Sequence, residues 1–130
     1  MRTNSLINNP LDNDDPIYKN CVNENGTVTN CEGTSMRTGR QTPTQSATFT
    51  ACTFRSLIGT GITGGAISFA NIENGILTIA DCLFEHCEIN VSQGNGIGGG
   101  AIYGRSVSQV DISLSSFLSC MCNTTNNSDG

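Results

Sequence analysis

His86 is the only histidine among the 130 residues, and it sits within a short run of groups that could do chemistry: Asp81, Cys82, Glu85, Cys87 and Glu88. A zinc site would need paired spacings such as Cys-x-x-Cys or His-x-x-x-His to bring four ligands together. This run has neither, so it reads as a surface histidine beside structural cysteines. Cys120 and Cys122 would point to the same side of a strand, but one such pair does not make a site. Nucleophilic catalysis needs a base and a group to orient it, and a single histidine leaves any Cys-His or Ser-His-Asp arrangement weakly supported. Asp12, Asp14 and Asp15 are not followed by the glycine and glutamate of a calcium loop and read as a solvated acidic segment. Gly59-x-Gly61-x-x-Gly64 and Gly94-x-Gly96-x-x-Gly99 fit the dinucleotide fingerprint literally. That fingerprint works only where a helix N-terminus faces the pyrophosphate, and both runs lead into β-type sequence. They read as loops at equivalent places in a repeat. No catalytic, cofactor-binding or metal-binding residue is assigned on these grounds.

The repeat organises the chain. Gly64-Gly65-Ala66-Ile67 recurs as Gly99-Gly100-Ala101-Ile102, and Phe84 and Phe117 follow the two copies as Phe54 precedes the first. Aligning the phenylalanines brings other columns together: Phe49, Ile79 and Ile112; Ala47, Leu77 and Val110; Cys52, Cys82 and Ser115; Leu57, Cys87 and Cys120. Self-similarity at this period marks a stacked repeat, because short strands cannot bury a face alone but can cover one another. The phenylalanines are spaced by 30 and then 33 residues and the Gly-Gly-Ala-Ile copies by 35, so the extra residues belong to loops, chiefly between Cys87 and Gly99. The glycines are expected at corners, and Ala66 and Ala101 where the interior is tight. The same alignment puts Glu85 with Arg55 and Leu118, and Asp81 with Ala51 and Leu114. No second carboxylate stacks on either to give a glycosidase pair, and a non-catalytic chain is expected.

Charged residues are few (13%), Trp is absent and Gly is frequent at 15, a profile of a β protein with tight turns. A net charge of −5 argues against nucleic acid and against anionic membranes. No window holds the roughly 20 apolar residues of a membrane helix. Apolar residues crowd into 47–122, expected to form about three short rungs. Residues 1–46 read as a polar, loop-rich segment, a decayed repeat or cap, with Gly26 to Cys31 echoing Gly75 to Cys82. Residues 123–130 read as a polar, frayed tail. Seven cysteines and four sequons, at Asn25, Asn90, Asn123 and Asn126, favour an extracellular or cell-surface location. Met1 to Pro10 lacks a signal-peptide core, which suggests an unusual route or a piece of a longer chain.

Gly-Gly-Ala-Ile followed by a short strand and then Cys82-x-Phe84-x-x-Cys87 resembles the repeat of polymorphic outer-membrane proteins, and related repeats in cysteine-rich surface proteins of some protists. The resemblance covers residues 47–122. It departs from the bacterial pattern where Leu57, Cys87 and Cys120 replace the usual asparagine. It implies a right-handed parallel β-helix acting at a cell surface, in adhesion or as a spacer, joined to further repeats, with carbohydrate or a cell-surface protein as partner. A fragment of a pectin lyase-like enzyme, its catalytic rungs elsewhere, is the alternative.

Three expectations follow from the columns. Phe54, Phe84 and Phe117 share one interior column, and Phe49, Ile79 and Ile112 share another. Arg55 and Glu85 form an outward pair on neighbouring strands. Cys52 with Cys82, and Cys87 with Cys120, form ladders of thiols rather than crosslinks, with one cysteine of the seven necessarily unpaired.

Overall fold

The computed structural model describes residues 16–33, 40–60, 64–91 and 99–124. These form an all-β protein of fifteen short strands. In chain order they are β1 (Ile17–Lys19), β2 (Val22–Glu24), β3 (Thr27–Thr29), β4 (Glu32–Gly33), β5 (Ala47–Thr50), β6 (Thr53–Arg55), β7 (Ile58–Thr60), β8 (Ile67–Ala70), β9 (Ile76–Ala80), β10 (Leu83–Glu85), β11 (Glu88–Val91), β12 (Ile102–Arg105), β13 (Gln109–Ser113), β14 (Ser116–Leu118) and β15 (Met121–Thr124).

The strands assemble into four sheets of order β13-β9-β5-β1-β4, β14-β10-β6-β2-β3, β15-β11-β7 and β12-β8. Within each sheet the long-range pairs are parallel, and their register reproduces the aligned columns. Phe54 pairs with Phe84 and Phe84 with Phe117. Phe49, Ile79 and Ile112 pair in turn, as do Ala47, Leu77 and Val110. Ile67 pairs with Ile102, joining the two Gly-Gly-Ala-Ile copies. A tier therefore consists of one strand from each sheet. The extra residues of the longer repeat fall between Asn90 and Ile102, because Thr60 is held opposite Asn90 and Ile67 opposite Ile102.

The core is built from these columns. The rings of Phe54 and Phe84 stack with centroids 4.8 Å apart, and those of Phe84 and Phe117 at 4.7 Å. Tyr18 stacks on Phe49 at 4.5 Å, and Phe49 meets Phe54 edge-on at 5.6 Å, which links the two aromatic columns. Phe54 and Phe84 are fully buried, whereas Phe117 is 42% exposed and Ile112 47% exposed. The expectation that both lie in interior columns therefore needs amending. They hold their register positions, but β13 and β14 have a neighbour on one side only, so one face of each side chain is uncovered.

Several boundaries move. The N-terminal segment, read as loop-rich with a decayed repeat or cap, contributes β1 and β2, which add a further tier: Tyr18 pairs with Phe49, and Asn23 with Phe54. The polarity of this stretch hid the tier, since the phenylalanine column there holds a buried amide, Asn23. Of the two readings of the echo in Gly26 to Cys31, a decayed repeat or a cap, the cap is the one that holds. β3 runs antiparallel to β2 and β4 antiparallel to β1, so this segment covers the end of the stack as a cap. Gln41, read as loop, bridges to Ile67. Gly59 and Thr60, read as the start of a loop, lie in strand β7 opposite β11, and Asn123, read as tail, lies in β15. Ordered pairing therefore runs from Ile17 to Thr124 rather than from 47 to 122.

The corners differ from expectation. The bends between the first two sheets are Asn20, Ala51, Asp81 and Leu114, with φ of 54°, 53°, 56° and 47°. The next bends are Asn25, Ser56, His86 and Ser119, at 53°, 56°, 54° and 53°. All are left-handed, and only the asparagines, the aspartate and the histidine are residue types enriched in that conformation. Their amides repay the strain. Ala51 donates to the Ala80 carbonyl (3.0 Å), Asp81 to Ser113 (3.1 Å), Ser56 to Glu85 (2.9 Å) and His86 to Leu118 (2.9 Å). The paired glycines answer another need. A Cβ on Gly65 would sit 2.3 Å from the Gly100 carbonyl oxygen and 2.4 Å from that of Glu88, so backbones of two sheets meet there with no room for a side chain.

Truncation of the ring column should be graded by depth. Phe84→Ala, with rings stacked on both sides, should lower stability by roughly 3–5 kcal/mol, and Phe117→Ala by less than half of that. Urea titrations of both variants check this; equal losses would contradict the tiered core.

Candidate functional site

The run from Asp81 to Glu88 is split by two left-handed bends, and this decides what its side chains can do. Asp81 and His86 are exposed at the bends, while Cys82, Phe84 and Cys87 point inward and are buried. The histidine and the two cysteines thus face opposite sides of the chain. Among the described residues no three His, Cys, Asp or Glu side chains group so as to hold a metal ion. Cys120 lies in the second thiol column at the bend before β15, whereas Cys122 lies within β15 and pairs with Ile89 in β11, so the two are not on one strand.

The carboxylates are engaged separately. Arg55 Nε donates to Glu85 Oε1 at 2.8 Å, the outward pair expected between neighbouring strands, and Arg55 Nη1 lies 3.9 Å from Glu24. The hydrogen bond from Arg55 holds the Glu85 carboxyl below its ordinary range and raises the guanidinium in turn. Both side chains are about a third exposed, so the pair adds little to stability and weakens with salt. Glu88 Oε1 accepts from Asn123 Nδ2 at 3.1 Å. A cavity of about 330 Å³ lies between Asn25, Arg40, Ser56 and Gly65, and among the described residues on its wall Arg40 is the one with a charged side chain.

The glycine fingerprints are followed by strands: Gly64 leads into β8 and Gly99, at φ +100°, into β12. Neither presents a helix N-terminus to a phosphate. Gly61, Gly94 and Gly96 lie outside the described residues, as do Asp12, Asp14, Asp15 and the sequon at Asn126. Asn25 is exposed in the tight turn before β3, with Thr27 also exposed. Asn90 and Asn123 are stacked neighbours, Asn123 Nδ2 donating to Asn90 Oδ1 at 3.2 Å.

The cysteines form the most regular polar feature of the interior. Cys52, Cys82, Cys87 and Cys120 each sit just after a left-handed bend, and each sulfur reaches two carbonyls. Cys52 Sγ lies 3.4 Å from the oxygens of both Thr50 and Tyr18. Cys82 reaches Ala80 at 3.3 Å and Phe49 at 3.4 Å. Cys87 and Cys120 repeat the pattern on Phe54 and Phe84, each at 3.5 Å. A thiol is small enough for the tight bend, apolar enough for the core, and able to donate weakly to buried carbonyls that need a partner. Ser115 fills the same column in the last tier, where its hydroxyl donates to Ser113 at 2.8 Å and accepts from the Cys82 amide at 3.1 Å.

Cys52, Cys82, Cys87, Cys120 and Cys122 are free thiols, in keeping with a ladder rather than crosslinks. Sequence reasoning missed the Cys21–Cys31 disulfide. Cys21 precedes β2 as Cys52 precedes β6, so it heads the first thiol column, and its bond to Cys31 fastens the capping segment. The signal was the Asn25-Gly26 turn, which folds Cys31 back beside Cys21.

The hydrogen bond between Cys52 and Cys82 favours one thiolate at the expense of the other: it lowers Cys52 and, with burial, raises Cys82. Burial, then the adjacent Cys120, pushes Cys87 up to about 12. Among the described residues no helix is long and apolar enough to cross a membrane. No protein-family model, curated protein or solved structure matches this chain.

The Cys87 thiol gives a pH dependence with a definite sign. Folding holds its proton from the ordinary value of 9.0 up to about 12, so the folded state binds more protons in that window and stability falls as pH rises through it. Cys87→Ala should flatten the decline by close to one proton between those limits. Guanidinium titrations at a series of pH values check this, and parallel curves for the two proteins would refute the buried thiol.

Proposed function

We propose that this chain is a non-catalytic module of a surface or secreted protein, built as a stretch of right-handed parallel β-helix and serving in adhesion or as a spacer. One observation carries the reading. Segments about a repeat apart pair in parallel and in register in all four sheets, with the same columns of Phe, apolar and Cys side chains stacked inside. An architecture of that kind grows by adding tiers and leaves its outer faces and loops free to vary, which suits display and spacing. The handedness and the surface role rest on the resemblance to polymorphic outer-membrane protein repeats and their protist relatives. The partner on this reading is a carbohydrate or a cell-surface protein, and the parent chain carries further repeats. The disulfide and the exposed sequon at Asn25 fit an oxidising, glycosylating compartment.

The alternative, a fragment of a pectin lyase-like enzyme, needs stacked carboxylates and arginines in a cleft. Arg55 stands beside Glu24 and Glu85, but on an exposed ladder rather than in a cleft. The two readings separate on one experiment. The purified chain, applied to arrays of glycans and matrix proteins and incubated in parallel with acidic polysaccharides, should bind without degrading anything. Release of unsaturated or reducing ends, lost on Glu85→Gln, would favour the enzyme and overturn the module.

A further inference from the structure

The first thiol column runs without a break into the disulfide. Cys21, Cys52 and Cys82 each follow a left-handed bend, at Asn20, Ala51 and Asp81. Their carbonyls accept in turn from the amides of Thr53, Leu83 and Ser116, at 2.8, 2.9 and 2.9 Å. The three are therefore direct neighbours through successive tiers, with Cα atoms roughly 4.8 Å apart. Their sulfurs repeat one relation. Cys52 Sγ and Cys82 Sγ lie 3.4 Å from the carbonyl oxygens of Thr50 and Phe49, consecutive in β5, and the two thiols share a hydrogen bond. One tier earlier, Cys21 Sγ and Cys52 Sγ lie 3.4 Å from those of Lys19 and Tyr18, consecutive in β1. The Cys21 amide also donates to the Cys52 sulfur. Cys52 thus stands towards the Cys21 sulfur as Cys82 stands towards Cys52.

A disulfide is exchanged when a thiolate attacks one of its sulfurs. The attack needs a thiol held close, a proton it can lose, and a product the backbone tolerates. Cys52 meets all three. The hydrogen bond from Cys82 favours its thiolate; burial opposes this, and the Cys21 amide adds support. The spacing of stacked neighbours, roughly 4.8 Å, falls within the range of about 4.4–6.8 Å that a disulfide spans. Cys31 differs from both. It belongs to the capping segment, lies off the column and is only half-buried, which makes it the sulfur placed to leave towards water.

We infer that Cys52 is the resolving thiol of the Cys21–Cys31 disulfide, and that this end of the stack is a thiol–disulfide exchange site whose second state links Cys21 to Cys52. The Cys52 thiolate attacks Cys21 Sγ. A Cys52–Cys21 bond forms as the Cys21–Cys31 bond breaks, and the electron pair leaves on the Cys31 sulfur. That sulfur takes up a proton in place of the one Cys52 released to water. No oxidant or reductant is consumed, and the number of free thiols is unchanged. Their placement is what changes. A buried thiol is traded for a half-exposed one, and the cap keeps only the pairing of β3 with β2 and of β4 with β1. A thiol at Cys31 can then react with disulfides or electrophiles in water that buried Cys52 does not meet. The inference does not depend on the adhesive or spacer role proposed above.

Peptide mapping of the full chain without reduction tests it. Dilute native protein held at about pH 8 with N-ethylmaleimide should accumulate label on Cys31 and, in equal amount, a linked Cys21–Cys52 peptide, because alkylation draws the exchange forward. Cys52→Ser has a precedent in Ser115 of the same column, so it should keep the parent's circular dichroism. It should label Cys31 at least about ten-fold more slowly. A second variant keeps the test independent of that substitution. Cys31→Ser, held in a glutathione redox buffer, should join Cys21 to Cys52. Absence of label on Cys31, or labelling at the same rate without Cys52, would overturn the inference. So would a Cys31→Ser protein in which Cys21 stays a thiol or pairs with glutathione.

Discussion

Backbone pairing between segments one repeat apart is the interaction on which the rest of this structure depends. Each short strand is too small to be stable alone, and it gains its hydrogen bonds from strands above and below rather than from its sequence neighbours. Once that register is set, every side chain meets its own column. Phe54 faces Phe84, Arg55 faces Glu85, and Thr53 faces Leu83, because one backbone offset serves all three. The aromatic stack, the outward ion pair and the thiol ladder are thus three results of a single constraint. A slip of one residue would turn the phenylalanines outward and bring the charges in, so register is strongly specified.

Stacking of this kind also imposes a cost at the bends, where the chain must turn sharply between sheets while its polar groups remain close to the core. Two local devices meet it. Left-handed residues make the turn, and their amides donate to the next tier, as from Ala51 to Ala80 and from Ser56 to Glu85. The following cysteine then reaches back to the carbonyls left on the inside of the bend. Serine does the same work at position 115, near the uncovered end, where a hydroxyl can be solvated. The cysteines are therefore best understood through their size and weak donor capacity, and most of their number needs no appeal to crosslinking. The exception, Cys21 with Cys31, lies where the repeat stops and an antiparallel segment has to be held in place.

The chemistry of the interior and that of the surface are kept apart by the same geometry. Cys82, Phe84 and Cys87 turn in while Asp81, Glu85 and His86 turn out, so residues adjacent in sequence do not converge on a common point.

Sequence alone determined the columns. The recurrence of Gly-Gly-Ala-Ile and of phenylalanine identified which residues would stack, because identical environments in successive tiers select similar side chains. The register, the pairing of Arg55 with Glu85 and the free state of Cys52, Cys82, Cys87 and Cys120 all followed from that pattern. The tier formed by β1 and β2 was legible only as a decayed repeat or cap somewhere in residues 1–46, and its register was not, because Asn23 replaces the ring that would have marked it and the stretch is otherwise polar. Nor were the corners, since Ala51 and Leu114 carry no preference for a left-handed bend and adopt it only because neighbouring tiers supply acceptors for their amides or hold their flanking strands. What the tertiary structure alone decided is which columns end in solvent. Phe117 and Phe84 look alike in the sequence, yet one has a ring on both sides and the other on one, and burial belongs to the stack rather than to the residue.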